Sequence, residues 1–359
     1  MSRAPLLIGL GLLIGLVLAA CGGGGGSSEV APAPADPDAP ATGTLRVFTY
    51  EDTVSPDLMK PFEEQNPDLD VQTASFGSDS EAAAKLVGGF QADVVESCLD
   101  EMRPLRRGNL LRPIDTAGVP EWDNLAFTDA PGVQDEGEVW VVPLSAGPQG
   151  LIVNTEAVAD APDSWQALFD PQYAGEVAIE GDYELPALAE TALALGIEDP
   201  MNMDAAELEE VSEYLAEHGD QFRSLWQSDS DLVNLFKSGE VVLADGGPGI
   251  AARMKEAGVP VEWIAPREGP LSWVCGLSIA AKAQNIDAAY RLINWQASPR
   301  AQAIRAGDGY VVTNPKAMPL VAAAAKATAD PASIEGAIPE TERPIEEEWV
   351  HAFQEFQAR

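Results

Sequence analysis

Carboxylates are the abundant chemistry-bearing groups of this sequence. Its 359 residues hold 58 Asp and Glu against 21 Lys and Arg, a formal charge of −37. Such a surface repels nucleic acid and anionic lipid heads and could attract a cationic ligand. Part of that charge is also what solubility or salt adaptation would give. Groups for covalent chemistry are scarce. A cysteine nucleophile would need a basic partner, and the two histidines, His218 and His351, lie in acidic helical stretches. No HExxH, CxxC, nucleophile elbow or P-loop pattern occurs. Asp229 to Asn234 lacks the glycine of a calcium loop and reads as helix. Gly247 to Ala252 fits a relaxed dinucleotide fingerprint, but Pro248 and the preceding Asp245 disfavour a pyrophosphate. No cofactor or metal is therefore expected. Paired acids alone do not make a hydrolase. A surface glycosidase using acids such as Asp182 and Asp245 is the enzymatic alternative.

The acids matter according to the elements that carry them. Residues 1–20 read as a targeting segment: Arg3, then an apolar core from Leu6 to Val17, too short to span a bilayer comfortably. Residues 21–43 begin GGGGGSS after Cys21 and continue as an Ala-Pro stretch. This predicts a tether, flexible and then stiff, with no periodicity that would bury it. From Thr44, strands at 44–50, 69–74 and 92–96 alternate with helices at 56–66 and 80–90, the second capped by Ser80. That order implies a parallel sheet. Ligands bind outside the C-terminal ends of such strands, and those ends carry Tyr50, Glu51, Asp52 and Ser97. Strands at 139–145 and 151–154 flank a Gly-Pro turn. A second α/β unit follows. Its strand at 177–180 runs into Asp182 and Glu184, and its strand at 241–244 ends at Asp245. Each of these acids is either a cleft carboxylate or a solvated loop acid, and Asp245 could instead cap the next helix. The late stretch Leu271–Asn314 reads as a strand, two helices and a Gly-Tyr turn.

The segments VFTYEDTVSPDLMKPFEEQNPDLDV, PLSAGPQGLIVNTEAV, SWQALFDPQYAGEVAI, SDSDLVNLFKSGEVVLADGG and LSWVCGLSIAAKAQNIDAAYRLINWQASPRAQAI run in order over nearly all of the chain from Thr44. With Leu18-Ala19-Ala20-Cys21, which resembles a bacterial lipobox, they resemble the solute-binding lipoproteins of ABC importers. Among these they are most similar to the spermidine/putrescine-binding family. The resemblance implies an α/β, bilobed, type II periplasmic-binding-protein fold with a two-crossing hinge. It places lobe 1 at 44–146 plus 275–322 and lobe 2 at 147–274 plus 323–359. It implies lipidation at Cys21, an extracytoplasmic, membrane-anchored monomer, and delivery of a small ligand to an ABC permease rather than catalysis.

On matching positions the resemblance also implies a ligand wall of Tyr50, Glu51, Asp52, Ser97, Asp182, Glu184, Asp245 and Trp273. Carboxylates hold ammonium ends there and ring faces hold methylenes. Two positions depart from the family pattern. Cys275 stands where the family has an aspartate, and Asp245 where it has a tryptophan. The expected ligand is a polyamine or another small organic cation. Receptors for iron, sugar or phosphonate remain as alternatives. Cys98 and Cys275 follow strands of one predicted sheet in an oxidising compartment, so they either bridge or stay as two separate thiols.

Overall fold

A computed structural model describes residues 29–359; Cys21 and the targeting segment lie outside them. Its strands are β1 (Gly43–Thr49), β2 (Leu69–Ser75), β3 (Val94–Cys98), β4 (Leu111–Arg112), β5 (Gln134–Asp135), β6 (Glu138–Val139), β7 (Val142–Asn154), β8 (Val177–Glu180), β9 (Phe222–Trp226), β10 (Leu243–Gly246), β11 (Val261–Ile264), β12 (Leu271–Ala280) and β13 (Ile338–Pro339). The main sheet runs β2-β1-β3-β12-β7-β10-β8-β9. β1, β2 and β3 are parallel, as the alternation of strands and helices requires. β10, β8 and β9 form a second parallel set. β7 and β12 pair antiparallel between the two sets.

Burial separates the sets into two bodies. Leu45, Val47, Leu58, Phe62, Leu277 and Ile293 share a core around β1. Leu151, Ile179, Leu188, Val211 and Trp349 share another around β8. Three passages join the bodies: β7, β12 and, for the last change of lobe expected at 322/323, the segment at β13, which pairs with the start of β12. The residues 323–333 expected in the second lobe pack on the first, where Ala329 meets Ala306 and Val312. The chain changes sides nearer β13.

Several local expectations give way to long-range pairing. The Gly147-Pro148 turn does not exist. β7 is one strand of 13 residues, and Gly147 sits opposite Trp273 in β12. A Cβ at Gly147 would lie 2.6 Å from the Trp273 ring, so this glycine admits the indole rather than a turn. The helix expected from Ser80 starts one residue earlier, at Asp79, and Ser78 caps it by accepting from the Glu81 amide. Residues 29–43 do not hang free. The Ala31 amide donates to the Pro113 carbonyl at 2.8 Å, and the Tyr290 hydroxyl donates to the Ala31 carbonyl at 2.8 Å. An extended Ala-Pro stretch has unpaired backbone groups, and here the first lobe supplies their partners.

Candidate functional site

A cavity of about 520 Å³ opens between the two bodies. β1 delivers Tyr50, Glu51 and Asp52 to it, and β3 delivers Glu96 and Cys98. On the other side β8 delivers Glu180, followed by Asp182 and Tyr183, and β9 delivers Trp226. The crossings supply Gln149, Trp273 and Cys275. Carboxyls dominate the lining, and Arg253 at the rim is its basic residue.

Each wall combines rings with buried acids. Tyr50 meets Phe76 edge-on, with centroids 4.6 Å apart. Trp273 meets Tyr310 the same way at 5.7 Å, and the Tyr310 hydroxyl donates to Asp52. Glu96 accepts from the Tyr50 amide at 3.1 Å and the Thr53 hydroxyl at 2.8 Å. Burial pushes its carboxyl up to about 7, although the Arg305 guanidinium pulls the other way. Asp79, at the first turn of its helix, accepts from the Cys98 amide at 3.1 Å. Its other oxygen is buried without a partner. One Glu340 oxygen accepts from the Tyr183 hydroxyl at 3.2 Å, the other has no partner, and burial with Asp100 nearby raises the group to about 8.

Five of the expected residues, Tyr50, Glu51, Asp52, Asp182 and Trp273, line the cavity. Three others do not reach its surface. Ser97 is wholly buried inside β3, and its hydroxyl donates to the Met102 sulfur at 2.7 Å. It was expected past the strand end, but β3 runs on to Cys98. Its position in the pleat points it into the core. Asp245 lies within β10, not beyond it, and is fully buried behind the wall. It accepts from the Glu180 amide at 2.8 Å and the Trp226 indole at 2.7 Å. It caps no helix, because Gly247 holds that position without a side-chain bond. Glu184 is taken by Arg343, whose guanidinium donates to it at 2.8 Å.

From the second wall inward, Gln149 directs one amide nitrogen at Glu180 (2.8 Å), Glu190 (3.2 Å) and Asp245 (3.4 Å). Burial pushes all three carboxyls up, Asp245 to about 6. An amide has two protons for these three acceptors, so the cluster keeps protons or takes a cation. Cys98 and Cys275 face each other across β3 and β12 and are disulfide-linked. Cys275 lies inside its strand, next to a register shift at Gly276. A Cβ at Gly276 would lie 2.1 Å from the Val142 carbonyl oxygen. Among the described residues no set of three or more His, Cys, Asp or Glu side chains could hold a metal ion.

Sequence reasoning missed Asp79, Glu96, Gln149, Glu180 and Glu340. Two signals were available. Glu96 and Glu180 are single acids closing apolar runs, and a buried acid there needs a cavity or a partner. Asp79 was hidden in what reads as capping sequence.

A family profile described as bacterial extracellular solute-binding protein matches residues 57–334. The chain belongs to that family. This solute-binding protein is similar to the spermidine/putrescine-binding periplasmic protein 1 of Haemophilus influenzae, with 27% identity over 290 residues, covering 77% of each chain. It is also similar to the putrescine-binding periplasmic protein PotF of Escherichia coli, with 26% identity over 304 residues, covering 78% of this chain and 80% of the other. Among solved structures it shares a fold with the spermidine/putrescine ABC transporter substrate-binding protein PotD of Streptococcus pneumoniae. There the TM-score is 0.74 at 21% identity, over 88% of this chain and 98% of that one. The bilobed type II architecture is that of this family, and its members are receptors, not enzymes.

Proposed function

We propose that this receptor captures a small organic cation, a polyamine such as putrescine or spermidine, between its lobes and delivers it to an ABC permease. The observation that carries the reading is a cleft lined by buried carboxyls, two of them with an unpartnered oxygen, between aromatic walls. An ammonium group needs acceptors and gains from a ring face. In this reading Asp52, Asp79, Glu96, Glu180, Asp182 and Glu340 accept from ammonium groups. Tyr50 and Trp273 flank the methylenes, and Glu51 steers at the rim. Ser97, Glu184 and Asp245 hold these residues in place from behind.

The similarity to polyamine receptors supports the same ligand class. The acidic lining disfavours a phosphonate, which it would repel. The rest of the reading follows the sequence. Cys21 carries the lipid anchor of an extracytoplasmic monomer, and residues between it and the packed stretch near Ala31 act as the tether. The lobes, meeting near 146/147, 274/275 and β13, close on the ligand as bodies. The Cys98–Cys275 bridge is oxidised in the mature protein and fixes the Cys98 amide that holds Asp79.

Thermal shift and calorimetry with putrescine, spermidine, sugars and phosphonates test the ligand. Micromolar polyamine is expected to raise the melting temperature through preferential binding to the folded state. A shift with sugars or phosphonates and none with amines would sink the polyamine reading, and turnover of a bound solute would sink the receptor itself. Intact mass with and without reductant tests the bridge, where two free thiols would count against it.

A further inference from the structure

The described chain contains one arginine that behaves like a ligand. Arg343 is wholly buried. Its guanidinium donates to Asp100 at 3.3 Å and to Glu184 at 2.8 Å, and it lies 5.4 Å from the centre of the Trp349 ring. Two carboxylates and an aromatic face are what the cleft offers an organic cation, and here the chain fills them itself. The two carboxylates come from opposite sides. Asp100 follows β3 in the first lobe, and Glu184 opens the helix Leu185–Leu195 of the second. Asp100 also belongs to the cavity wall, beside Tyr183 and Glu340.

We infer that Arg343 is a specificity-determining residue: an internal cation that closes one end of the cleft and limits the length of the cation that fits. This rests on the reading of the cleft as an organic-cation site. The physical argument is one of competition. Asp100 and Glu184 are buried, and a buried carboxylate needs a countercharge or a proton. While Arg343 sits between them, it offsets one of the two charges and occupies the space in which an ammonium would reach either acid. A short diamine then uses the carboxyls around Glu96, Glu180 and Glu340. A longer triamine would bring its far ammonium against the guanidinium that already holds Asp100 and Glu184. Removing the guanidinium opens space next to two acids that need a cation.

The test is calorimetry of the mature, oxidised protein with putrescine and with spermidine, on wild type, Arg343→Ala, Arg343→Lys and the triple variant R343A/D100N/E184Q. Arg343→Ala is expected to raise the spermidine-to-putrescine affinity ratio by roughly tenfold or more, about the worth of one charge-assisted hydrogen bond. Arg343→Lys retains a cation and keeps the wild-type ratio. The triple variant has the space without the charge and shows no gain for the triamine. If Arg343→Ala folds poorly alone, spermidine should restore its melting transition and putrescine should not. An unchanged ratio, an equal loss for both amines (the signature of a clamp between lobes and nothing more), or a gain that survives in the triple variant each overturns the inference. Wild type that binds neither amine sinks the cation reading of the cleft and this inference with it. Wild type that binds putrescine beside an unchanged ratio in Arg343→Ala sinks this inference alone.

Discussion

Two carboxyl networks border the same cleft and solve the same problem in opposite ways. Asp100 and Glu184 share Arg343, so one of their two charges is offset inside the chain. Glu180, Glu190 and Asp245 share the Gln149 amide and no base; Asp245 has the Glu180 amide and the Trp226 indole besides, and one Glu190 oxygen has no partner at all. The first network holds its own base without a ligand, although the Arg343 Nε is buried with no partner. The second is satisfied at neutral pH only by holding protons or by having a cation close by. Acid count therefore says little about where a cation binds. What matters is which buried acids the protein has left without a base.

The largest effect should come from making the first network resemble the second. Arg343→Ala strands two buried carboxylates, and loss of one partner of a buried pair costs about 3–5 kcal/mol. Urea unfolding at pH 8 should show that loss, and a change below roughly 1 kcal/mol would mean that the acids are compensated from elsewhere. Next comes the pH dependence of the ligand-free protein. Glu96 is raised to about 7, Asp245 to about 6 and Glu340 to about 8. In the unfolded chain such groups lose their protons near pH 4 to 4.5, so between that pH and about 8 the folded state binds more protons. Stability is then fully present below about pH 4 and falls as pH rises, the loss being complete near 6 to 8, by on the order of a few kcal/mol for each group. Saturating polyamine should flatten this slope and release protons on binding, read by calorimetry in buffers of different ionisation enthalpy. A ligand-free protein whose stability rises from pH 5 to 8 would contradict it.

A smaller effect of opposite sign is expected for Glu190→Gln, which removes one uncompensated acid and keeps its shape. It should stabilise the ligand-free protein at pH 8 by about 1 kcal/mol, whereas Glu184→Gln in the Arg343 network should destabilise it. The two melting curves measured side by side decide this. The smallest effect belongs to the exposed rim. Glu51→Gln should leave the dissociation rate unchanged and slow association less than about threefold, more visibly at low salt. Stopped-flow binding at two ionic strengths checks it.

The sequence was most legible where local chemistry and tertiary structure agree. β1, β2 and the helix Pro56–Gln65 carry their apolar period openly, and the strand–helix alternation foretells a parallel sheet. It was least legible at the crossings. Gly147-Pro148 has the local chemistry of a turn, yet pairing with Trp273 and Ser272 in β12 keeps the chain extended. The site followed the same division. Tyr50, Asp52 and Trp273 could be placed because they end or occupy recognisable strands. Ser97 and Asp245 were missed by one pleat, since a register error of one residue moves a side chain to the other face. Glu340 and Arg343 lie in an irregular, proline-flanked tail, where no period exists to say which way a side chain points.

The unbroken run of β7 has a mechanical consequence. A loop hinge bends at a point and leaves its flanks unchanged. Here two of the passages are strands, β7 and β12, paired to each other from Leu271–Gln149 to Leu277–Val142. In the proposed closure the lobes would move on a twisting ribbon, whose one irregular rung is the register shift beside Cys275 and Gly276. That rung carries the sulfur joined to Cys98 in the first lobe. The bridge ties the first-lobe end of the ribbon to β3, so the proposed closure would twist the ribbon near Trp273, which lines the cavity.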